Sequence, residues 1–122
     1  MRLDDFDAAR LWDMLEYARE IVSSLGSLKF EQYLRDKNLR LATERRIEII
    51  GEAARNVSPE FKADHSSVPW KKIVAMRHIL AHEYGEVKHE VVFRIATIHI
   101  PELISLLEPI LPGQHEEDDQ DR

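Results

Sequence analysis

The chain of 122 residues contains no cysteine. That absence excludes disulfides, thiolate-held metals and a cysteine nucleophile, and it fits a reducing compartment. Glycine and proline are scarce, at four and five residues, so little turn chemistry is available. No charged-then-apolar leader begins at Met1–Arg10, and no apolar run approaches the roughly 20 residues of a membrane span, so a soluble, cytoplasmic protein is expected. A basic excess is also missing, because 17 Lys and Arg stand against 23 Asp and Glu for a formal net charge of −6. Residues His115–Arg122 (HEEDDQDR) hold −4 of this, leaving −2 on the remainder. A body so nearly neutral lacks the charge with which duplex binders grip many phosphates, so no DNA partner is expected. A small enzyme with a few phosphate contacts remains allowed. The expected organisation is one helical domain over residues 1–112, then an acidic disordered tail, 113–122, following Pro112-Gly113.

What is present is helical period. Over Asp4–Leu25, Ala8, Leu11, Leu15, Ala18, Val22 and Leu25 recur at three- and four-residue steps, and Gly26 supplies a stop. Ser27 opens a short amphipathic turn with Phe30, Tyr33 and Leu34. A second long helix is predicted over Asn38–Val57, with Leu39, Ile47, Ile50, Ala54 and Val57 on one face. Gly51 lies inside it. An interior glycine costs about 1 kcal/mol relative to alanine, so close approach of another helix is its expected use. Ser58-Pro59-Glu60 and Ser67-Val68-Pro69-Trp70 both read as capped helix starts. A third helix is predicted over Pro69–Ala81, ended before Gly85, and a last one over Lys88–Leu111. Pro101 interrupts that last segment, which predicts a kink or two abutting helices near Ile98–Pro101. The fold class is therefore all-α, an antiparallel bundle of four to five main helices.

Reactive side chains are densest at Arg77-His78-Ile79-Leu80-Ala81-His82-Glu83-Tyr84. On a continuous helix, at about 100° per residue, Arg77 and Tyr84 share a face while His82 stands about 140° from Arg77. A helix ending near Leu80–Ala81 would instead allow the chain to swing His82 and Tyr84 back towards the guanidinium. Arginine beside histidine is a minimal kit for metal-free cleavage of an RNA phosphodiester. The guanidinium stabilises charge on phosphate oxygens, and the imidazole moves the proton of the ribose 2′-OH or of the leaving oxygen. An alternative makes Arg77 a surface ion-pair partner, His82 a ligand of the helix dipole and Tyr84 a half-buried aromatic. His78 and His82, four apart, lack the His-Glu-x-x-His pattern and are too few for a catalytic zinc unless Glu83, Glu86 or His89 joins them, so no metal and no cofactor are expected. Arg35, Lys37, Arg40, Arg45 and Arg46, against Asp36 and Glu44, give a local +3 that could guide an RNA backbone or simply form a solvated helix face. Glu48 and Glu52 repeat every four residues and could orient a basic group such as Arg77, or face solvent. His65, His89, His99 and His115 show no partner spacing.

Arg77, four residues, His82, one residue, Tyr84 resembles the R-x4-H-x-Y motif of HepT toxins, a branch of the HEPN ribonuclease superfamily. The string Arg46-Ile47-Glu48-Ile49-Ile50-Gly51-Glu52-Ala53-Ala54 is similar to that family in order and spacing. So are Ser58-Pro59-Glu60-Phe61, Val68-Pro69-Trp70, Ile73 and Pro101-Glu102-Leu103, and the resemblance covers about Asp4 to Leu111. It implies a HEPN-like helical homodimer with two motifs meeting in a cleft between subunits. Arg77 and His82 would be the catalytic pair of a metal-independent endoribonuclease that leaves a 2′,3′-cyclic phosphate. Tyr84 would be the residue AMPylated by a partner, the MntA-type minimal nucleotidyltransferase antitoxin. That modification would put negative charge beside the arginine meant for RNA phosphate. His78 departs from the family, which commonly has Asn or another small polar residue after the motif arginine; it could orient the histidine or phosphate, or add a second titrating group. The resemblance also leaves a second class of function, a binding module that serves mainly as partner and substrate of the nucleotidyltransferase.

Overall fold

The computed structural model describes residues 5–111. The predicted acidic tail, 113–122, lies outside the described residues. Helix α1, Asp5–Leu25, buries Leu11, Met14, Leu15, Ala18, Ile21 and Leu25. Met14 and Ile21, expected beside the seam, are fully buried, while Val22, expected on it, is exposed. Gly26 takes a φ of +55° and its N–H closes on the Val22 carbonyl, the left-handed stop that residue makes available.

The short helix α2, Phe30–Arg35, begins later than predicted. Lys29, not Ser27, is its N-cap residue, and the Lys29 N–H is satisfied by the Gln32 side chain at 2.9 Å. Helix α3 spans Lys37–Arg55, capped by the Asp36 carboxylate on the Leu39 N–H. It lies antiparallel to α1. Ser58, just past the end of α3, meets Asp7 in the first turn of α1, and Arg46 in α3 reaches Glu20 and Ser24 near the end of α1.

Helix α4, Pro59–Asp64, starts as predicted. Its Ser58 hydroxyl donates to Asp7 Oδ2 at 2.6 Å and accepts from the Phe61 N–H at 3.2 Å, while the Ser58 N–H donates to Asp7 Oδ1 at 2.8 Å. Asp7 is thereby a buried carboxylate with its partners supplied, as burial of charge requires. The second predicted cap fails. Helix α5 is Trp70–His82, and its N-cap residue is Pro69, with no side-chain hydrogen bond from Ser67. The corner between α4 and α5 is held instead by aromatic packing: Phe61 stacks on His65 at 4.0 Å, meets Trp70 edge-on at 6.2 Å, and Trp70 Nε1 donates to the His65 carbonyl.

Helix α6 runs over Gly85–Arg94 and begins three residues before the predicted start, with Gly85 at a φ of +63°. A π-helical turn, Ile95–His99, joins it to α7, Ile100–Leu107. The predicted disturbance ahead of Pro101 is thus a widened turn, in which the Ile100 N–H reaches back five residues to the Ile95 carbonyl. Proline has no N–H to give the preceding turn, and this register change absorbs the defect. The core gathers α1, α3, α5, α6 and α7, with Ile47, Ile50, Ile73, Val92, Ile100 and Leu107 fully or nearly fully buried. All described helices and turns fit the predicted all-α class, and no described helix is long and apolar enough to cross a membrane.

Candidate functional site

Arg77 sits midway along α5, where that helix crosses α3 at Gly51. A Cβ on Gly51 would lie 2.8 Å from Arg77 Cγ and 3.3 Å from the Ile73 carbonyl oxygen. The glycine therefore sets how closely α5 and the stem of Arg77 approach α3. One residue further along α3, Glu52 pairs with the guanidinium, its Oε2 at 2.5 Å from Arg77 Nη1. The same carboxylate lies 3.9 Å from Arg55 and accepts from Asn56 Nδ2 at 3.3 Å. At this half-exposed position an ion pair contributes at most about 1 kcal/mol to stability. What it supplies is direction: one carboxylate holds one edge of a planar fork of five donors, leaving the other donors for a second anion. Glu48, the other candidate for that task, pairs with Arg45 in its own helix.

Helix α5 continues through His82, the last residue of the helix, and the Glu83 N–H closes on the Ile79 carbonyl. The backbone therefore does not swing His82 back to Arg77 within the chain, because no turn intervenes between them. Instead His82 stacks with His78 one turn below, ring centroids 6.1 Å apart and planes 8° apart. The structure brings His78 beside His82 and Glu52 beside Arg77, while Arg77 and His82 diverge around α5. Both histidines are exposed. After His82 the chain is extended over Glu83 and Tyr84, and Tyr84 is 80% exposed, not the half-buried aromatic of the alternative reading.

A cleft lined by Glu48, Arg55, Arg77, His78 and Ala81 opens on one side of α5. On the other side of Arg77 a polar hollow includes Arg10, Asp13, Glu52 and Asn56. Among the described residues no three of His, Asp and Glu converge in a way that could hold a metal. The basic stretch Arg35–Arg46 is largely committed to structure: Arg40 donates to the Leu34 carbonyl, Arg45 pairs with Glu48, and Arg46 pairs with Glu20. Arg55 and Asn56, beside Glu52, went unnoticed in the sequence. Their proximity to Arg77 depends on where α3 and α5 cross, which no spacing within either segment reports.

Residues 14–110 match the family described as "Ribonuclease HepT-like". A provisionally named RNase of Caldanaerobacter subterraneus subsp. tengcongensis is 37% identical over 98 residues, covering 80% of this chain and 88% of that protein. One from Methanocaldococcus jannaschii is 32% identical over 111 residues, covering 91% and 92%. A protein provisionally named ribonuclease HepT, from Thermococcus cleftensis, is 38% identical over 88 residues, covering 72% and 74%. No solved structure matches the chain.

Proposed function

Because the chain belongs to the HepT-like ribonuclease family, we propose that it is the toxin of a toxin–antitoxin pair, an endoribonuclease that needs no metal. Arg77 and His82 are its catalytic residues. The imidazole of one His82 takes the 2′-OH proton as that oxygen attacks phosphorus. The bond from phosphorus to the 5′-oxygen breaks, that oxygen leaves with the proton returned by the imidazolium, and a 2′,3′-cyclic phosphate remains. Arg77, held by Glu52, stabilises the charge on the non-bridging oxygens.

The observation that carries this reading is the pairing of Glu52 with Arg77 on the far side of α5 from His82. An aimed guanidinium and an exposed imidazole that diverge on one helix make a working site when two copies face each other about a two-fold axis. Arg77 of one then meets His82 of the other, so the active form is a homodimer. Tyr84, exposed two residues beyond His82, is the acceptor for AMP from a minimal nucleotidyltransferase antitoxin. His78 replaces an amide with a second imidazole stacked on His82, where it positions that ring.

The test is incubation of the purified, partner-free protein with mixed cellular RNA in EDTA, beside His82→Ala. Expected are products ending in cyclic phosphate from the parent, and a rate lower by about 10²- to 10⁴-fold from the variant. Intact RNA with the parent, from protein whose mass shows Tyr84 unmodified, would overturn the ribonuclease reading.

A further inference from the structure

We propose that a groove between α4 and α5 carries the single RNA strand as it leaves the catalytic cleft, binding its phosphates through Lys62, Lys71, Lys72 and Arg55. The proposal rests on the ribonuclease reading. The groove has a volume of about 800 Å³, and His78 and Arg55 line both it and the cleft that contains Arg77. The two hollows are therefore neighbours with shared walls, and a strand bound at Arg77 has this groove as an onward path.

Charge singles the groove out. The chain as a whole is acidic, at −6. Yet the described residues lining this groove include four permanent cations and no carboxylate. Several cations outside the groove are matched, Arg19 with Glu108 at 2.8 Å, Arg46 with Glu20 at 3.3 Å and Lys88 with Glu44 at 3.0 Å, while Arg35 and Lys37, unmatched among the described residues, line no such groove. Lys71 and Lys72, exposed on the first turn of α5, have no ion-pair partner among the described residues. Lys62 donates to the Arg55 carbonyl at 3.3 Å, and Arg55 reaches Glu52 only at 3.9 Å. Four such cations side by side repel one another unless an anion comes between them, and a phosphate chain supplies that anion at repeating intervals.

The floor decides the strand form. Besides the cations, His78 and Ser66, the groove is lined by apolar residues, among them Val68, Pro69, Val74 and Trp70. Cations above an apolar floor suit phosphates and unpaired base faces together, and only a single strand offers both.

The experiment is an anisotropy titration of a fluorescein-labelled single-stranded RNA oligonucleotide in EDTA, with the full chain carrying His82→Ala so that the probe stays intact. Adding Lys71→Ala with Lys72→Ala is expected to weaken binding about ten- to thirtyfold at 0.1 M salt. The slope of log affinity against log salt should fall by about 1.4, at 0.7 per phosphate contact on a single strand. Lys71→Arg with Lys72→Arg restores both quantities. Arg35→Ala with Lys37→Ala removes the same formal charge outside the groove and is expected to change affinity by less than about twofold. Equal losses from the two alanine pairs, or no loss from the lysine pair, would overturn the groove. If the parent protein leaves RNA uncut while the lysine pair still governs affinity, the ribonuclease reading falls and the groove stands. If it cuts RNA while the lysine pair alters neither affinity nor slope, the reverse holds.

Discussion

At Gly51 a single hydrogen decides where Arg77 points. Alanine there would improve helix propensity by about 1 kcal/mol, but its methyl group would meet a backbone carbonyl, which cannot rotate away, and Cγ of Arg77, which can move only by turning the whole side chain about χ1 and so off its present aim. Overpacking of that kind costs about 1–3 kcal/mol, so Gly51→Ala is expected to be destabilising by about 1 kcal/mol net, read as a lowered midpoint in urea. It should also lower the rate of RNA cleavage. Glu52→Gln separates direction from stability. The pair is half-exposed, so its loss should move the unfolding free energy by less than about 1 kcal/mol. The catalytic rate should nevertheless fall by about ten- to a hundredfold as the guanidinium loses its aim. Equal melting curves with unequal turnover would check this. The role of Gly51 was legible in the sequence, since a glycine inside a periodic segment invites the question of what comes near it. Glu52 was legible only as one of two candidates, because Glu48 has the same spacing and composition alone cannot say which faces α5.

Element boundaries show why similar signals end differently. Ser58 directly precedes Pro59, and its hydroxyl reaches the Phe61 N–H while Asp7 holds it from α1. Ser67 stands one residue further from its proline, so the helix begins after Pro69 and the serine falls outside the capping position. Long periodic segments were read to within a few residues, since 3.6-residue spacing survives tertiary context. The π-helical turn was legible only as trouble before Pro101, as local sequence does not choose among a kink, a break and a register change. In the aromatic cluster that holds α2 against α6, Tyr33 lies 5.1 Å from Phe93 and is fully buried. Its hydroxyl has no hydrogen-bond partner among the described residues. Burial, reinforced by Glu44 and opposed by Arg40, pushes that phenol well above its usual ionisation range, so it stays protonated across physiological pH. An unsatisfied buried hydroxyl costs about 1–3 kcal/mol. Tyr33→Phe is accordingly expected to leave stability unchanged or raise it by up to about 1 kcal/mol, and a drop of that size in urea unfolding would contradict it.

For the whole molecule, the divergence of Arg77 and His82 around α5 has a direct kinetic consequence if two copies build the site. Arg77→Ala and His82→Ala proteins, each inactive alone, should recover about a quarter of parental activity when mixed and allowed to exchange. Half the dimers are then hybrids, each with one intact site of two. No recovery despite exchange would mean that each chain works with its own pair. The groove cations fall on three helices, Arg55 on α3, Lys62 on α4 and Lys71 and Lys72 on α5, and the corner built by Phe61, His65 and Trp70 gathers the last two towards the others. A run such as Arg35–Arg46 is conspicuous in the sequence, whereas a set of cations gathered by folding is not. The extended strap of Glu83 and Tyr84 carries a last consequence. With Tyr84 80% exposed, the fold gains almost nothing from that ring, so a group attached to it leaves the unfolding equilibrium where it was. Cellular quality control responds to the unfolded fraction, and if Tyr84 accepts AMP as proposed, it would treat the modified and unmodified proteins alike. On that proposal the pool of modified molecules would persist as long as the unmodified ones, and removing the AMP would restore activity without new synthesis.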